Sequence, residues 1–370
     1  MPEQMESGVS RLVPVSVLTG FLGSGKTTLL NHLIRQRVLH RTLVIVNEFG
    51  EIGLDHDLMA ANTDEVVIEM SSGCLCCTIR EDLVTTLREA PGRFARDGKP
   101  MFDRVVIETT GLADPAPILH TLMTDPALVR RYRLDGVITT VDAVNGADTL
   151  DRQVESVRQA AVADRLLLTK ADLATLDQMS TLQALLHSLN PAAPKVLAVG
   201  GLVDPALLFD AGLYNPATKS LDVQNWLKAE AYDGSHEHEH HHHEVNRHDA
   251  HIKALCLTID APLPADKFEA WLDLLLAFQG PNLLRIKGII NVAELDGPVV
   301  IHGVQHIFHP PVTLERWPSS DRRSRIVFIT RDLAESVLRD TLRVVTGFGG
   351  PEVASSGTPV DTDVSIEEAT

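Results

Sequence analysis

Short apolar runs alternate with amphipathic stretches through the first two hundred residues. The runs are Val13–Leu18, Leu43–Val46, Val66–Ile68, Arg104–Ile107, Gly136–Val141, Arg165–Leu168 and Val196–Val199. Segments such as Thr27–Arg37 and Val154–Ala163 lie between them with helical spacing. Nearly continuous apolar strands joined through helices predict a parallel sheet covered on both faces. The expected fold is therefore α/β, a doubly wound, mostly parallel sheet. The alternation stops after about Pro205, and a second pattern begins near His251. There a strand (Ile252–Ile259), a helix (Pro264–Phe278), strands near Leu284–Val292 and Val299–Phe308, a strand (Arg325–Thr330) and a helix (Asp332–Val345) predict a smaller α+β domain. The chain thus divides into a first domain over 1–210, a His-rich linker over 211–250, a second domain over 251–346 and a tail over 347–370. The tail is rich in Gly, Pro, Ser and acidic residues and reads as disordered.

Composition narrows the function. Apolar residues make up 44% of the 370, as in an ordinary globular protein, and no window reaches the roughly 18 apolar residues of a membrane span. The start, MPEQMESGVSR, lacks a basic region followed by an apolar run, so a cytoplasmic protein with no membrane partner is expected. A net charge of −17 weighs against a nucleic-acid partner, which selects for Lys and Arg. Of four cysteines, three fall within Cys74-Leu75-Cys76-Cys77. Such neighbours are poor disulfide partners, and in a reducing compartment they read as a metal or redox site.

Gly20-Phe21-Leu22-Gly23-Ser24-Gly25-Lys26-Thr27 fits G-x-x-x-x-G-K-[ST] between a predicted strand and a helix, with Thr28 next. Its glycines let backbone N–H groups turn toward phosphate oxygens at a helix N-terminus. Lys26 is expected to reach the β- and γ-phosphates, and the Thr27 hydroxyl to ligate Mg²⁺. Further on, Arg104-Val-Val-Ile-Glu108-Thr-Thr-Gly111 supplies an acid at a strand end. Glu108 is placed in the Mg²⁺ shell or on the attacking water, and Gly111 where backbone approaches the γ-phosphate. After a P-loop, this outweighs a reading of Glu108 as a capped sheet edge. Thr169-Lys170-Ala171-Asp172 follows another apolar strand. A carboxylate at Asp172 accepts from guanine N1–H and N2–H₂, which adenine does not match, and the Lys170 stem packs on the base. GTP is thus preferred over ATP, and an ATP-using kinase is disfavoured.

Three thiols in four residues supply soft ligands to Zn²⁺, Co²⁺ or Cu⁺, and no second C-x-x-C closes a structural site. An incomplete ligand set suits a carrier that must release its cargo; a buried apolar Cys cluster is the weaker alternative. Cys256, in an alternating strand, reads as core packing.

In their order, GFLGSGKTT, VNEFGEIGLD, SSGCLCC, VVIETTGLADP and TKAD resemble the CobW family of GTPases, relatives of the urease and hydrogenase nickel-insertion GTPases. LRIKG with Val299–Phe308 resembles the family's C-terminal domain. The resemblance implies a P-loop fold, GTP hydrolysis, and Zn²⁺ or Co²⁺ held by Cys74, Cys76 and Cys77 beside the nucleotide. It also implies that the NEFGE segment is a switch, with Glu48 and Glu51 as metal or Mg²⁺-shell residues. Many relatives carry Glu directly before that Asn; here the residue is Val46.

His236, His238, His240, His241, His242 and His243, with His248 and His251, form an internal run mixed with acids. Imidazoles in such a run bind divalent metals weakly, which suits metal loading better than transfer; a solvated linker without a duty is the alternative. His302, His306 and His309 are too spread to assign. The leading expectation is a GTP-gated metallochaperone delivering Zn²⁺ to a client metalloprotein that docks on the C-terminal domain, with a homodimer compatible. The competing expectations are Co²⁺ delivery to corrin synthesis and a regulatory GTPase whose metal is sensory or structural.

Overall fold

The computed structural model describes residues 12–35, 39–46, 66–69, 77–209, 252–308 and 311–347. The first stretches build strands β1 (Val13–Gly20), β2 (Thr42–Val46) and β3 (Val66–Glu69), with helices α1 (Lys26–Arg35) and α2 (Cys77–Arg93). A two-residue exposed hairpin, β4 (Ala95–Arg96) with β5 (Lys99–Pro100), leads to β6 (Arg104–Glu108) and α3 (Ala116–Thr124). Then follow β7 (Tyr132–Asp142), α4 (Gly146–Arg152), α5 (Val154–Ala161), β8 (Arg165–Thr169), α6 (Leu176–Leu189) and β9 (Lys195–Ala198). The strand order is β3-β2-β6-β1-β7-β8-β9, and the pairings are parallel.

Both faces of this sheet are covered, which explains the near-continuous apolar strands. Alternate residues feed opposite layers: Val15, Val17, Leu43, Ile45, Val105 and Ile107 join one core. Leu18, Val44, Val46 and Val106 join another with Leu29 and Leu30 of α1. The order also fixes where a site must lie. β1 leads through α1 to one side of the sheet, and neighbouring β6 leads through α3 to the other. A crevice opens beyond the carboxyl ends of two such strands.

The second unit contains β10 (Ile252–Ile259), α7 (Ala265–Gln279), β11 (Leu283–Ile290), β12 (Val299–Val304), β13 (Ile307–Phe308), β14 (Val312–Thr313), β15 (Ser324–Arg331) and α8 (Glu335–Thr346). Its antiparallel sheet runs β10-β15-β11-β12-β13, with β14 also on β12. Helices α7 and α8 cover one face around fully buried Trp271, whose indole N–H donates to Thr341 Oγ1 at 3.1 Å. The expected single strand Val299–Phe308 is a hairpin, because Gln305 turns the chain at φ +54°. Asp332 likewise takes φ +52°, so α8 starts at Glu335 and not at Asp332.

The other face of the second sheet packs on the first unit. Ile252, Leu284 and Ile329 share a core with Val157, Leu182 and Leu186, while Val304 and Ile307 join Leu119 and Leu122. Within this apolar seam, Asp164 pairs with Arg285 and with Lys287 at 2.6 Å, and accepts the Val137 N–H at 2.9 Å. Burial alone would raise the Asp164 carboxyl, but Arg285, Lys287 and His302 outweigh it and hold it far below the usual carboxylate range. Among the described residues no helix is long and apolar enough to cross a membrane.

Candidate functional site

The phosphate loop leaves β1 at Gly20 and enters α1 at Lys26. Gly20 has φ +143°, and a Cβ there would lie 2.2 Å from Thr140 Oγ1, so no other residue fits. The loop is tied to the ends of two neighbouring strands. Ser24 Oγ and Thr140 Oγ1 are 2.6 Å apart, and the Thr169 hydroxyl donates to Ser24 O at 2.7 Å. Ser24 N–H donates to Phe21 O, so this residue shapes the loop from within. Lys26 is buried, and its Nζ donates to Gly20 O at 2.9 Å and Phe21 O at 3.3 Å.

Glu108 ends β6, fully buried, and accepts from the Thr27 hydroxyl at 3.4 Å. That is long for an O–H···O bond, which prefers about 2.7–2.8 Å. A hydroxyl and a carboxylate facing each other at the carboxyl edge are hard oxygen donors of the kind Mg²⁺ takes, so the residues present fit that ion. After Glu108, Thr109 Oγ1 donates to Thr19 Oγ1 at 2.8 Å, and Gly111 presses on the phosphate loop. A Cβ on Gly111 would lie 2.6 Å from the Leu22 side chain and 2.7 Å from its backbone N.

The base motif stands two strands away. Lys170 takes φ +54° just past β8, and its Nζ donates to Asp142 Oδ2 at 2.7 Å. Asp142, at the end of β7, also accepts from Val144 N, Asn145 N and Asn145 Nδ2. Burial pushes its carboxyl up, but Lys170, Asn145 and the two backbone N–H groups prevail and lower it. Asp172 is exposed, as are Leu173 beside it and Val199 and Leu202 in the loop after β9. Thr28 is exposed on the first turn of α1, and Gly23 is exposed at the loop tip.

The structure thus brings together Lys26, Thr27, Glu108 and Gly111 at one strand crevice, with Lys170 anchored on the same edge. Sequence reasoning missed two contributors. Asp142 followed by Asn145 after a strand is an Asx-turn signal that was available. Gln159, which holds the loop after Gly111, carries no motif. Glu48, Glu51, Cys74, Cys76 and His236, His238, His240, His241, His242 and His243 lie outside the described residues, as do His248, His251, His309 and the Cys77 side chain. Among the described residues no group of three or more His, Cys, Asp or Glu is placed to hold a metal. Cys256 packs beside Ile289, Val300 and Val327, His302 is buried near Asp164, and His306 meets His120 edge-on at 5.8 Å.

The family model for the CobW/HypB/UreG nucleotide-binding domain matches residues 14–197, and that for the cobalamin synthesis protein cobW C-terminal domain matches 252–346. The chain belongs to the CobW family. Its similarity to individual members runs nearly end to end. The zinc chaperone YjiA of Escherichia coli is 31% identical over 327 residues, covering 88% of this chain and 96% of that one. The zinc chaperone CobW of Pseudomonas aeruginosa is 30% identical over 366 residues, covering 90% and 91%. The crystal structure of the Zn(II)-bound YjiA GTPase superposes with a TM-score of 0.67 at 27% identity, covering 90% of this chain and 99% of that one.

Proposed function

We propose that this CobW-family chain is a GTP-hydrolysing zinc carrier in which the γ-phosphate gates the Cys74–Cys77 segment. Hydrolysis of GTP is its activity. Lys26, now on two loop carbonyls, is the cation for the β- and γ-phosphates, and Asp172 with the Lys170 stem reads guanine. Thr27 and Glu108 would hold Mg²⁺, which when bound neutralises charge on the phosphate oxygens.

The observation that carries the gating is one of register. Val46 of β2 pairs with Glu108 on one side and with Glu69 of β3 on the other. Neighbouring strands are about 4.8 Å apart, so the end of β3 is roughly 10 Å from Glu108. Cys74 follows Glu69 by five residues, which span at most ~17 Å. Residue 47, which opens the NEFGE segment, continues from Val46 directly. Both the switch and thiol segments are therefore tethered within reach of the phosphate end. Names of the relatives support zinc as the cargo. The acceptor is a client metalloprotein, and the exposed Phe278 and Val344 on the C-terminal helices favour docking there.

The test joins nucleotide choice to metal handover. Wild type should hydrolyse GTP at least tenfold faster than ATP, and Asp172→Asn should shift preference to XTP, whose C2 carbonyl accepts from an amide. Protein carrying one Zn²⁺ should pass it to a chromophoric chelator faster during GTP turnover than with GDP, and Cys76→Ala/Cys77→Ala should abolish that difference. Equal use of ATP, or handover indifferent to nucleotide, would overturn the reading.

A further inference from the structure

We propose that Gln159 is a positioning residue for the γ-phosphate: buried in α5, it sets the Gly111–Asp114 loop and so the site's discrimination between GTP and GDP. The inference rests on the nucleotide reading above. Gln159 is 0% exposed, and its Nε2 donates to Gly111 O at 3.1 Å and to Ala113 O at 3.0 Å. The two acceptors fix the amide, since a flip would set Oε1 against two carbonyl oxygens. Oε1 is buried with no hydrogen-bond partner among the described residues. An apolar side chain of similar volume would fill this space without that penalty, so packing does not explain the glutamine.

The loop is held from several sides. Arg158, the preceding residue, reaches Asp114 Oδ2 at 3.4 Å, and Asp114 Oδ1 accepts the Ala116 N–H at the start of α3. Gln159's own carbonyl accepts the Thr139 hydroxyl at 2.8 Å, which fixes α5 on β7. Gly111 meanwhile abuts Leu22 of the phosphate loop too closely for a Cβ. The C=O and N–H of a trans peptide point oppositely. Binding the Gly111 and Ala113 carbonyls to Gln159 therefore turns the Leu112 and Asp114 N–H groups away from α5. The loop three residues past Glu108 is thus clamped between α5 and the phosphate loop. GDP lacks the phosphate this loop would meet, so loss of the clamp should weaken GTP selectively.

The experiment measures binding of GDP and of a non-hydrolysable GTP analogue, with Mg²⁺, on the full-length protein and on Gln159→Met, which keeps length and volume but donates nothing. GDP affinity should stay within threefold of wild type, while analogue affinity and kcat fall tenfold or more. A packing role alone would lower the melting temperature and leave the analogue-to-GDP ratio unmoved, and that result overturns the inference. Should Gln159→Met not fold, Arg158→Ala, which breaks the outer tether of the same loop, should shift the ratio about threefold in the same direction; an unmoved ratio there is equally fatal. Wild type that bound no guanine nucleotide would sink the site reading and this inference together, whereas normal wild-type binding with unmoved variants sinks the inference alone.

Discussion

Asp142 ends β7 at the carboxyl edge of the parallel sheet, whereas Asp135 and Asp164 sit in its amino-terminal half. Asp135 accepts from Arg104 at 2.9 Å, Arg133 at 3.4 Å and the Ser16 hydroxyl at 3.0 Å. Asp164 is closed off by Arg285 and Lys287 from the second unit. Acids on the carboxyl edge meet different company. Asp142 takes three of its four donors from backbone and amide groups and uses the fourth to aim Lys170, while Glu108 faces a hydroxyl. Asp172 is exposed. The carboxylate thus becomes a structural joint where two cations close on it, as at Asp135 and Asp164, and a site component at Asp142, where three neutral donors hold it against one lysine. Position along the strand decides which, because only the carboxyl ends open onto the crevice.

The largest effect should come from breaking the amino-end joint. Asp164→Ala leaves buried cations without their anion and should cost about 3–5 kcal/mol in urea unfolding. Because the folded carboxyl titrates below its unfolded value of about 3.9, its stabilisation is complete above that pH and is lost as pH falls toward the folded value. Wild type should therefore lose stability in acid more steeply than Asp164→Asn; parallel slopes would remove Asp164 from that role. At the other edge, Lys26→Ala should lower kcat by about 10²–10³ with a small change in urea midpoint, as loss of one transition-state donor does. A matching loss of stability would blur the contrast.

Asp142→Asn is the finer test. Losing a charged hydrogen bond to Lys170 should weaken GDP and GTP alike by about tenfold, since such bonds are worth roughly 1.5–3 kcal/mol and the defect lies at the base end. A selective loss of GTP would misplace Asp142. The smallest effect belongs to the exposed pair Arg41–Asp103, 3.0 Å apart. Arg41→Ala should change stability by under about 1 kcal/mol.

Much of the first unit was legible because its strands are buried on both faces and its chemistry sits in contiguous motifs. Gly20 to Thr27 and Glu108 to Gly111 needed no tertiary information beyond their order. Gln159 did, since it lies 48 residues from the carbonyl it binds. The Asp164 cluster joins residues over 120 positions apart, so the Arg and Lys of LRIKG marked a domain and concealed a joint. The turn at Gln305 was missed because the two residues between the strands, Gln305 and His306, are neither Gly nor Pro, and Gly303 lies inside β12. The thiols, Glu48, Glu51 and the histidine run are read from sequence alone; the ends of β2 and β3 bear on the reach of the first three and not on the histidines.

The most direct test of the gated carrier is an equilibrium Zn²⁺ titration of the full chain loaded with GDP or with a non-hydrolysable GTP analogue. The account predicts one tight site whose affinity differs at least tenfold between the two nucleotides and disappears in Cys76→Ala/Cys77→Ala. Equal affinity in both nucleotide states, or a tight site that survives loss of the thiols, would contradict it.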